Sequence, residues 1–320
     1  MSRGALGRAA RGTVLRLRER VLDLSDEAAV MGIVNVTPDS FYDRVAGVRG
    51  AVARARTMAA VGATLIDVGG RSYARWNRPV SAEEEARRVV PAVRAIAAAE
   101  TGALVSVDTT HAAVAEKVFA AGAHLINDCS GLADPEMAQT VARYGAGLVV
   151  MHLSGGLNGV GNTGRRRYDD VVAEVVAFLH DATERAVAAG VARDAIVVDP
   201  GLEFGKEPAD DLRLLERFGE LRALRYPVLF AASRKTFLGR IFGRPPSGLL
   251  VPSLAAAAMG VLAGARLVRT HDVAETVDLV RMLAAPKRAR EGTLRLNDTV
   301  AVRPSEAGDD TGNSHGAAAV

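Results

Sequence analysis

Asp108, Asn127, Asp199 and Lys235 lie far apart in the chain, yet each stands just beyond a short run of aliphatic residues. Together they offer two carboxylate acceptors, an amide and a cation. Such a set suits a flat heterocycle with an amidine-like N–H edge and a ring carbonyl, because carboxylates accept paired N–H donors at fixed spacing. A second group, Asn35, Arg269 and His271, offers an amide oxygen and two potential cations. That combination suits a phosphate or pyrophosphate, with Asn35 able to ligate the Mg²⁺ that commonly accompanies one. No Asp, Glu or His cluster has the spacing of a dedicated zinc site, so any metal is expected to be shared with substrate. Each residue alone also has an ordinary explanation. Asp108 or Asp199 could cap a helix, Asn127 could close a turn, and His152 could donate to nearby backbone.

The elements that must position these groups can be read from periodicity. In the run from Met31 to Phe41, an apolar stretch (Ala29, Val30, Met31, Ile33, Val34) ends in Asn35, Thr37, Asp39 and Ser40 around Pro38. A buried strand therefore runs into a polar loop, with an amide at the strand's carboxyl end. The arrangement recurs. Strands are predicted over Val30–Val36, Thr64–Val68, Leu104–Val107, His124–Ile126, Gly147–Met151, Ala195–Val198, Val228–Phe230 and Arg266–Val268. Helical patterns fall between them, near Ala51–Val61, Ala82–Ala99, Ala112–Ala121, Pro135–Tyr144, Asp169–Ala189, Asp210–Leu221, Val251–Ala263 and Val273–Leu283. Such repeats over about 255 residues match an α/β fold of the (β/α)₈ TIM barrel type, in a single domain. A doubly wound sheet is the alternative, but no Gly-x-Gly-x-x-Gly opens the first helix. A barrel brings the carboxyl ends of its strands to one rim. Here that rim would hold Asn35, Asp67 with Gly69-Gly70, Asp108, Asn127-Asp128, His152, Asp199, Ser233-Arg234-Lys235, Arg269, His271 and Asp272. The predicted organisation is a basic arm over 1–28, a barrel over 29–290 and an extension over 291–320, disordered from about 303.

The 320 residues carry a formal charge of +3, which gives no field strong enough to demand nucleic acid. Cys129 is the sole cysteine and excludes an internal disulfide or thiolate cage. The longest weakly polar stretch, around Leu254–Ala265, is too short to span a bilayer. Residues Met1–Arg20 carry six arginines and no apolar signal core, so a flexible basic arm on a cytoplasmic protein is the expectation. Only four of the basic residues are lysines: Lys117, Lys206, Lys235 and Lys287. Lysine offers a compact ammonium whose pKa shifts on burial, which arginine cannot match. Lys206 and Lys235 follow predicted strands, and the bias singles out Lys235 and, less strongly, Lys206.

These segments together resemble the dihydropteroate synthase family. The matching pieces are Asn35-Val-Thr-Pro-Asp-Ser-Phe41, Ile66-Asp-Val-Gly-Gly70, Ser106-Val-Asp-Thr109, Ile126-Asn-Asp128, Met151-His152, Tyr168-Asp-Asp-Val171, Asp199-Pro-Gly201 with Phe204-Gly-Lys206, Ser233-Arg-Lys235 and Arg269-Thr-His-Asp-Val273. The resemblance implies a pterin-binding TIM barrel that pairs as a homodimer. It implies a transferase that joins 4-aminobenzoate to 6-hydroxymethyl-7,8-dihydropterin diphosphate and releases pyrophosphate, with Mg²⁺ as cofactor. Asp108, Asn127, Met151, Asp199, Phe204 and Lys235 match pterin positions. Asn35, Arg269 and His271 match diphosphate positions, with Asn35 on the metal and Lys235, Arg269 and His271 as the catalytic set. Phe41, Tyr73, Ala74, Arg75 and Thr236 fall on the acceptor side.

The departures from the family pattern cluster. Where the family usually reads Glu-Ser-Thr-Arg-Pro-Gly after Gly69-Gly70, this chain has Arg71-Ser-Tyr-Ala-Arg-Trp76. Tyr42-Asp-Arg-Val45 replaces Ser-Asp-Gly-Gly, Glu203 and Ala231 stand where glycines are usual, and Thr236 replaces Ser. The pterin and diphosphate residues are kept while acceptor-side loops are rewritten, and Tyr42, Tyr73 and Trp76 resemble a wall for a different flat acceptor. Neutral drift in surface loops is the plain alternative. Four readings follow: a dihydropteroate synthase with unusual loops, a paralogue using another arylamine, a non-catalytic pterin-binding protein, and a pterin-dependent methyltransferase domain with a corrinoid partner. A diphosphate site argues against the last two.

Overall fold

The computed structural model describes residues 13–37, 47–71, 80–154 and 167–295. A short hairpin, β1 (Val14–Leu17) and β2 (Arg20–Asp23), precedes eight parallel strands. These are β3 (Ala29–Asn35), β4 (Leu65–Gly69), β5 (Leu104–Asp108), β6 (Leu125–Asp128), β7 (Gly147–Met151), β8 (Ile196–Asp199), β9 (Leu229–Phe230) and β10 (Leu267–Thr270). Neighbours hydrogen-bond in the order β8-β7-β6-β5-β4-β3-β10-β9, and a parallel bridge between Val198 and Val228 joins the two ends. The sheet is thus a barrel. Around it lie α1 (Gly47–Ala60), α2 (Ala82–Ala98), α3 (Ala112–Ala120), α4 (Met137–Arg143), α5 (Val171–Ala188), α6 (Pro208–Glu216), α7 (Thr236–Phe242), α8 (Leu250–Ala263) and α9 (Val273–Arg290).

Strands buried on both faces read as continuous apolar runs, which is why the sequence shows them without alternation. Alternate residues nevertheless have different neighbours. Val30, Val34, Ile66, Val68, Val105, Val107 and Ile126 pack outward under the helices. Met31, Leu65, Leu104, Leu125, Val149, Val197, Leu229 and Leu267 fill the barrel interior. Two residues further along several of these strands, the inward side changes to Asp67, Ser106, Asn127, Asp199 and Arg269. That switch from an apolar floor to a polar mouth, repeated strand by strand, builds the site.

Two expectations are corrected here. Residues 13–24, read as part of a flexible arm, form the β1–β2 hairpin, whose Leu15, Leu17 and Leu24 are buried in the same cluster as the interior barrel residues. Arg18 fixes the turn: its N–H donates to Gly145 O at 2.9 Å, and its Nη1 donates to Phe119 O and Ala123 O. The leucine–arginine alternation from Leu15 to Arg18 carries the period of a strand, and the arginine-rich composition hides it. The second correction concerns length. α9 continues past Leu283 through Pro286 to Arg290, where Lys287 and Arg288 pair with Asp26 and Glu27 and place cations at the helix end. α7 was also not among the predicted helices. The expected tail disorder from 303 lies outside the described residues.

Candidate active site

The deepest polar group is Asp67, wholly buried between Ile66 and Val68 on β4. Its Oδ1 accepts from Ser106 Oγ at 2.6 Å, and its Oδ2 accepts from Asn127 Nδ2 at 3.1 Å and Arg269 Nε at 2.7 Å. Arg269 also donates from Nη2 to Asp108 Oδ2 at 3.0 Å. Four strands thereby lock one another's side chains. Burial disfavours the Arg269 charge, but Asp67 and Asp108 outweigh that and hold its pKa above the ordinary arginine value. Burial pushes the Asp108 carboxyl up to about 7, against the pull of Arg269. Among the described residues Arg269 uses two of its five N–H donors, so it can hold both carboxylates and still donate to a bound anion.

Asn35 closes β3 beside this network. A Cβ on Gly69 would come within 3.2 Å of Asn35 Oδ1 and 3.9 Å of the Asp108 Cβ, so the glycine leaves room for the amide next to the carboxylate. Asn35 contributes a hard, neutral oxygen, the donor type Mg²⁺ accepts. Among the described residues no group of three His, Cys, Asp or Glu could hold a metal ion. The donor set therefore fits a cation that takes most of its ligands from diphosphate and water.

The loop after β8 forms another wall. Asp199 Oδ1 accepts from Gly201 N at 2.7 Å, and burial raises its pKa against the opposing charge of Lys235. Gly201 has φ +66 and packs against the His152 carbonyl, where any Cβ would overlap. Lys206 fastens this loop from beneath. Its Nζ lies 2.8 Å from His152 Nδ1 and donates to Gly201 O at 2.8 Å and Phe204 O at 3.1 Å. Burial brings Lys206 down to about 7, against Asp211 and Asp199. Lys235 reaches across from the β9 loop, donating to Leu202 O at 2.7 Å with its ammonium 4.9 Å from the Phe204 ring centroid. Burial lowers its pKa, and Asp199, Glu203 and Asp211 oppose the shift. Phe204 also packs on the small apolar cluster of Cys129, Met151 and Leu153.

Asp108, Asn127, Met151, Asp199, Phe204, Lys235 and Arg269 thus line one mouth, with Asn35 adjoining. His271 stands two residues beyond Arg269, its N–H on Ser233 Oγ at 3.1 Å and its carbonyl receiving Arg54 Nη2 at 3.4 Å. Other rim residues turn out to be architectural. Asp128 accepts from Ser130 N, Ser130 Oγ and Leu132 N, and Arg234 forms a two-pronged pair with Asp272 at 2.9 and 2.6 Å. Neither Asp108 nor Asp199 caps a helix. At the outer edge, Thr236 is exposed and its N–H and hydroxyl both meet Glu203 Oε1, the N–H at 3.1 Å. Arg71 Nη2 donates to Thr110 Oγ1 at 2.5 Å. Phe41, Tyr73, Ala74 and Arg75 lie outside the described residues.

A family model described as pterin binding enzyme matches residues 31–271. The dihydropteroate synthase of Escherichia coli K12 is 39% identical over 272 residues, covering 84% of this chain and 95% of that protein. The chain belongs to the dihydropteroate synthase family. Among solved members, the Xanthomonas albilineans dihydropteroate synthase with 4-aminobenzoic acid has TM-score 0.79 and 39% identity, covering 86% of this chain and 98% of its own. The same enzyme in complex with 7,8-dihydropteroate gives TM-score 0.75 and 37% identity, over 86% and 99% of the two chains. The family also includes the protein named inactive dihydropteroate synthase 2 of Mycobacterium tuberculosis H37Rv, 42% identical over 277 residues, covering 84% of this chain and 86% of that protein. Within the family frame, Asp67 is the residue whose role sequence reasoning passed over. Its signal was a lone carboxylate inside an apolar strand.

Proposed function

We propose that this chain transfers the pterin-methyl group of 6-hydroxymethyl-7,8-dihydropterin diphosphate to an arylamine and releases pyrophosphate, the 4-aminobenzoate reaction being the one that serves folate biosynthesis. One observation carries the reading. Arg269 bonds both deep carboxylates from β10, which pairs with the β3 strand that ends in Asn35, and it lies two residues before His271, so pterin and diphosphate would be gripped through one guanidinium.

Asp108 and Asp199 would accept the ring's N–H edge, Asn127 would fix the ring's rotation, and Lys235 would lie along the ring where Phe204 now carries its charge. The C–O bond to diphosphate breaks with both electrons on the departing oxygen. The remaining N–H donors of Arg269 and the imidazole of His271 would face that developing charge, which is electrostatic stabilisation of the transition state. Mg²⁺ held at Asn35 would supply further neutralisation of the diphosphate. The amine nitrogen then bonds to the exocyclic carbon from the solvent side and gives one proton to water. No general base is needed.

A second reading keeps the pocket and changes the acceptor or abolishes turnover. It is favoured by the 42% identity to the inactive paralogue and by the meeting of two departures, Glu203 and Thr236, at the rim. Pairing as a cytoplasmic homodimer belongs to the same proposal. No helix among the described residues is long and apolar enough to cross a membrane. Val251, Met259 and Leu262 form an exposed stripe on α8, at 70%, 51% and 74% exposure, suited to a second copy. Pyrophosphate release with 4-aminobenzoate, then with a panel of arylamines, tests the activity. Release with the first supports the folate enzyme, and release only with another amine supports the paralogue. Tight pterin binding without release from any amine leaves a binding protein.

A further inference from the structure

Glu203 is an unusual residue in an unusual place. Its φ of +73 lies in the left-handed region that suits glycine, the residue usual at this position in the family the chain resembles. Its backbone is held there, because its N–H donates to Asp211 Oδ1 at 2.7 Å while the preceding Leu202 carbonyl receives Lys235 Nζ at 2.7 Å. The side chain then crosses from the β8 loop to the β9 loop, where Oε1 takes the N–H and the hydroxyl of Thr236. Two positions that differ from the family pattern therefore contact each other. They do so beside the lysine that lies over Phe204, and the charge of Glu203 is felt at Lys235.

The depth of the pocket is occupied by Asp67, Asp108, Asn127 and Asp199, all buried. An amine must approach from outside them, past the half-buried Glu203 and the exposed Thr236. The geometry points to Glu203 as a specificity-determining residue: its fixed negative charge on the outer wall disfavours an acceptor that carries a carboxylate and favours a neutral arylamine. Like charges brought together at a partly desolvated rim repel strongly enough to shift affinity by about tenfold or more. The Thr236 donors that could have served an acceptor anion are already taken. The inference rests on the transferase reading and gives its acceptor a charge class.

Calorimetric titration tests it. Wild type, Glu203→Gln and Thr236→Val, each saturated with 6-hydroxymethylpterin and inorganic pyrophosphate, receive 4-aminobenzoate or 4-aminobenzamide. Wild type is expected to bind the benzamide about tenfold more tightly. Glu203→Gln keeps a hydrogen-bond acceptor and removes the charge. It should bring the two ligands within about threefold by tightening the benzoate alone. Thr236→Val removes the hydroxyl, leaves the charge and should retain the wild-type ratio. Equal binding of the two ligands to wild type, an unchanged ratio in Glu203→Gln, or no binding of either amine to any of the three proteins overturns the proposal. The transferase reading is judged separately, by pyrophosphate release from the diphosphate substrate with either amine. Release at equal kcat/KM for both would keep the transferase and sink the selectivity.

Discussion

The inner and outer halves of the pocket differ in how many bonds fix each side chain. Asp67 is wholly buried and holds Ser106, Asn127 and Arg269, and Arg269 in turn holds Asp108. None of these can change alone without stranding a buried charge or donor, which is costly. At the rim, Glu203 and Thr236 meet over an exposed position, and either can change while the other returns to water. The bonded network of the inner half keeps the family's residues. Buried Ala231 is a departure that takes no part in it, and the departures that contact each other, Glu203 and Thr236, lie in the outer half. Coupling, more than distance from the chemistry, separates what this pocket can vary from what it cannot.

The largest expected effect strikes the inner half. Asp67→Ala removes one partner from a buried ion pair and should cost about 3–5 kcal/mol of stability. Urea denaturation measures this, and pterin binding should vanish with it. A loss under 1 kcal/mol would show that the network is not mutually dependent. Next comes Lys235→Arg, which keeps charge but not shape over Phe204 and should lower kcat/KM about a hundredfold. Lys287→Arg, at an exposed pair with Asp26, should leave turnover unchanged. Equal behaviour of the two would end the distinction.

A smaller effect appears with pH. Asp108 must be ionised to accept a ring N–H edge, and its pKa is raised from 3.8 to about 7. Pterin affinity should therefore weaken by up to about tenfold per unit as pH falls below 7, and stay flat above it. Calorimetry between pH 5 and 9 checks this, and Asp108→Asn should flatten the profile. For stability the sign is opposite. A raised carboxyl pKa favours the folded state below its unfolded value of 3.8, and that contribution is lost as pH rises through about 7. The least effect belongs to the rim. Glu203→Gly relieves a positive φ, worth roughly 1 kcal/mol, and loses a hydrogen bond of similar size, so the urea midpoint should barely move. A loss above about 2 kcal/mol would make Glu203 a strut between loops instead of a rim charge.

Much of this was legible in the sequence because burial on both faces of a parallel strand leaves a continuous apolar run that ends sharply. Asn35, Asp108, Asn127, Asp199 and Arg269 could be placed at strand ends on that ground alone. What resisted reading depended on pairing across the barrel. The role of Asp67 requires knowing that β4 lies between β3 and β5 and that Arg269 of β10 reaches across. Lys206 was noticed as a rare lysine, but only the fold shows it clamping its own loop beneath Phe204. Arg234, equally polar and equally near the rim, spends its guanidinium on Asp272 and on the Pro246 and Ser247 carbonyls. The scarcity of lysine singles out Lys235 next door, but nothing local to Arg234 tells that its guanidinium is spent on architecture. The contact between Glu203 and Thr236 spans two loops and has no local signature.

The β1–β2 hairpin bears on how this molecule should be handled. Its three leucines meet interior residues contributed by strands from β3 to β10, so a segment synthesised first finds its partners only when nearly all the chain has been made. A shortened version starting at residue 25 would retain every substrate-facing group and every recognisable motif. It would also unstopper the barrel at the end away from the ligands, letting water reach Met31, Leu65 and Leu125. Such a protein would look complete by its motifs and prove fragile in the tube.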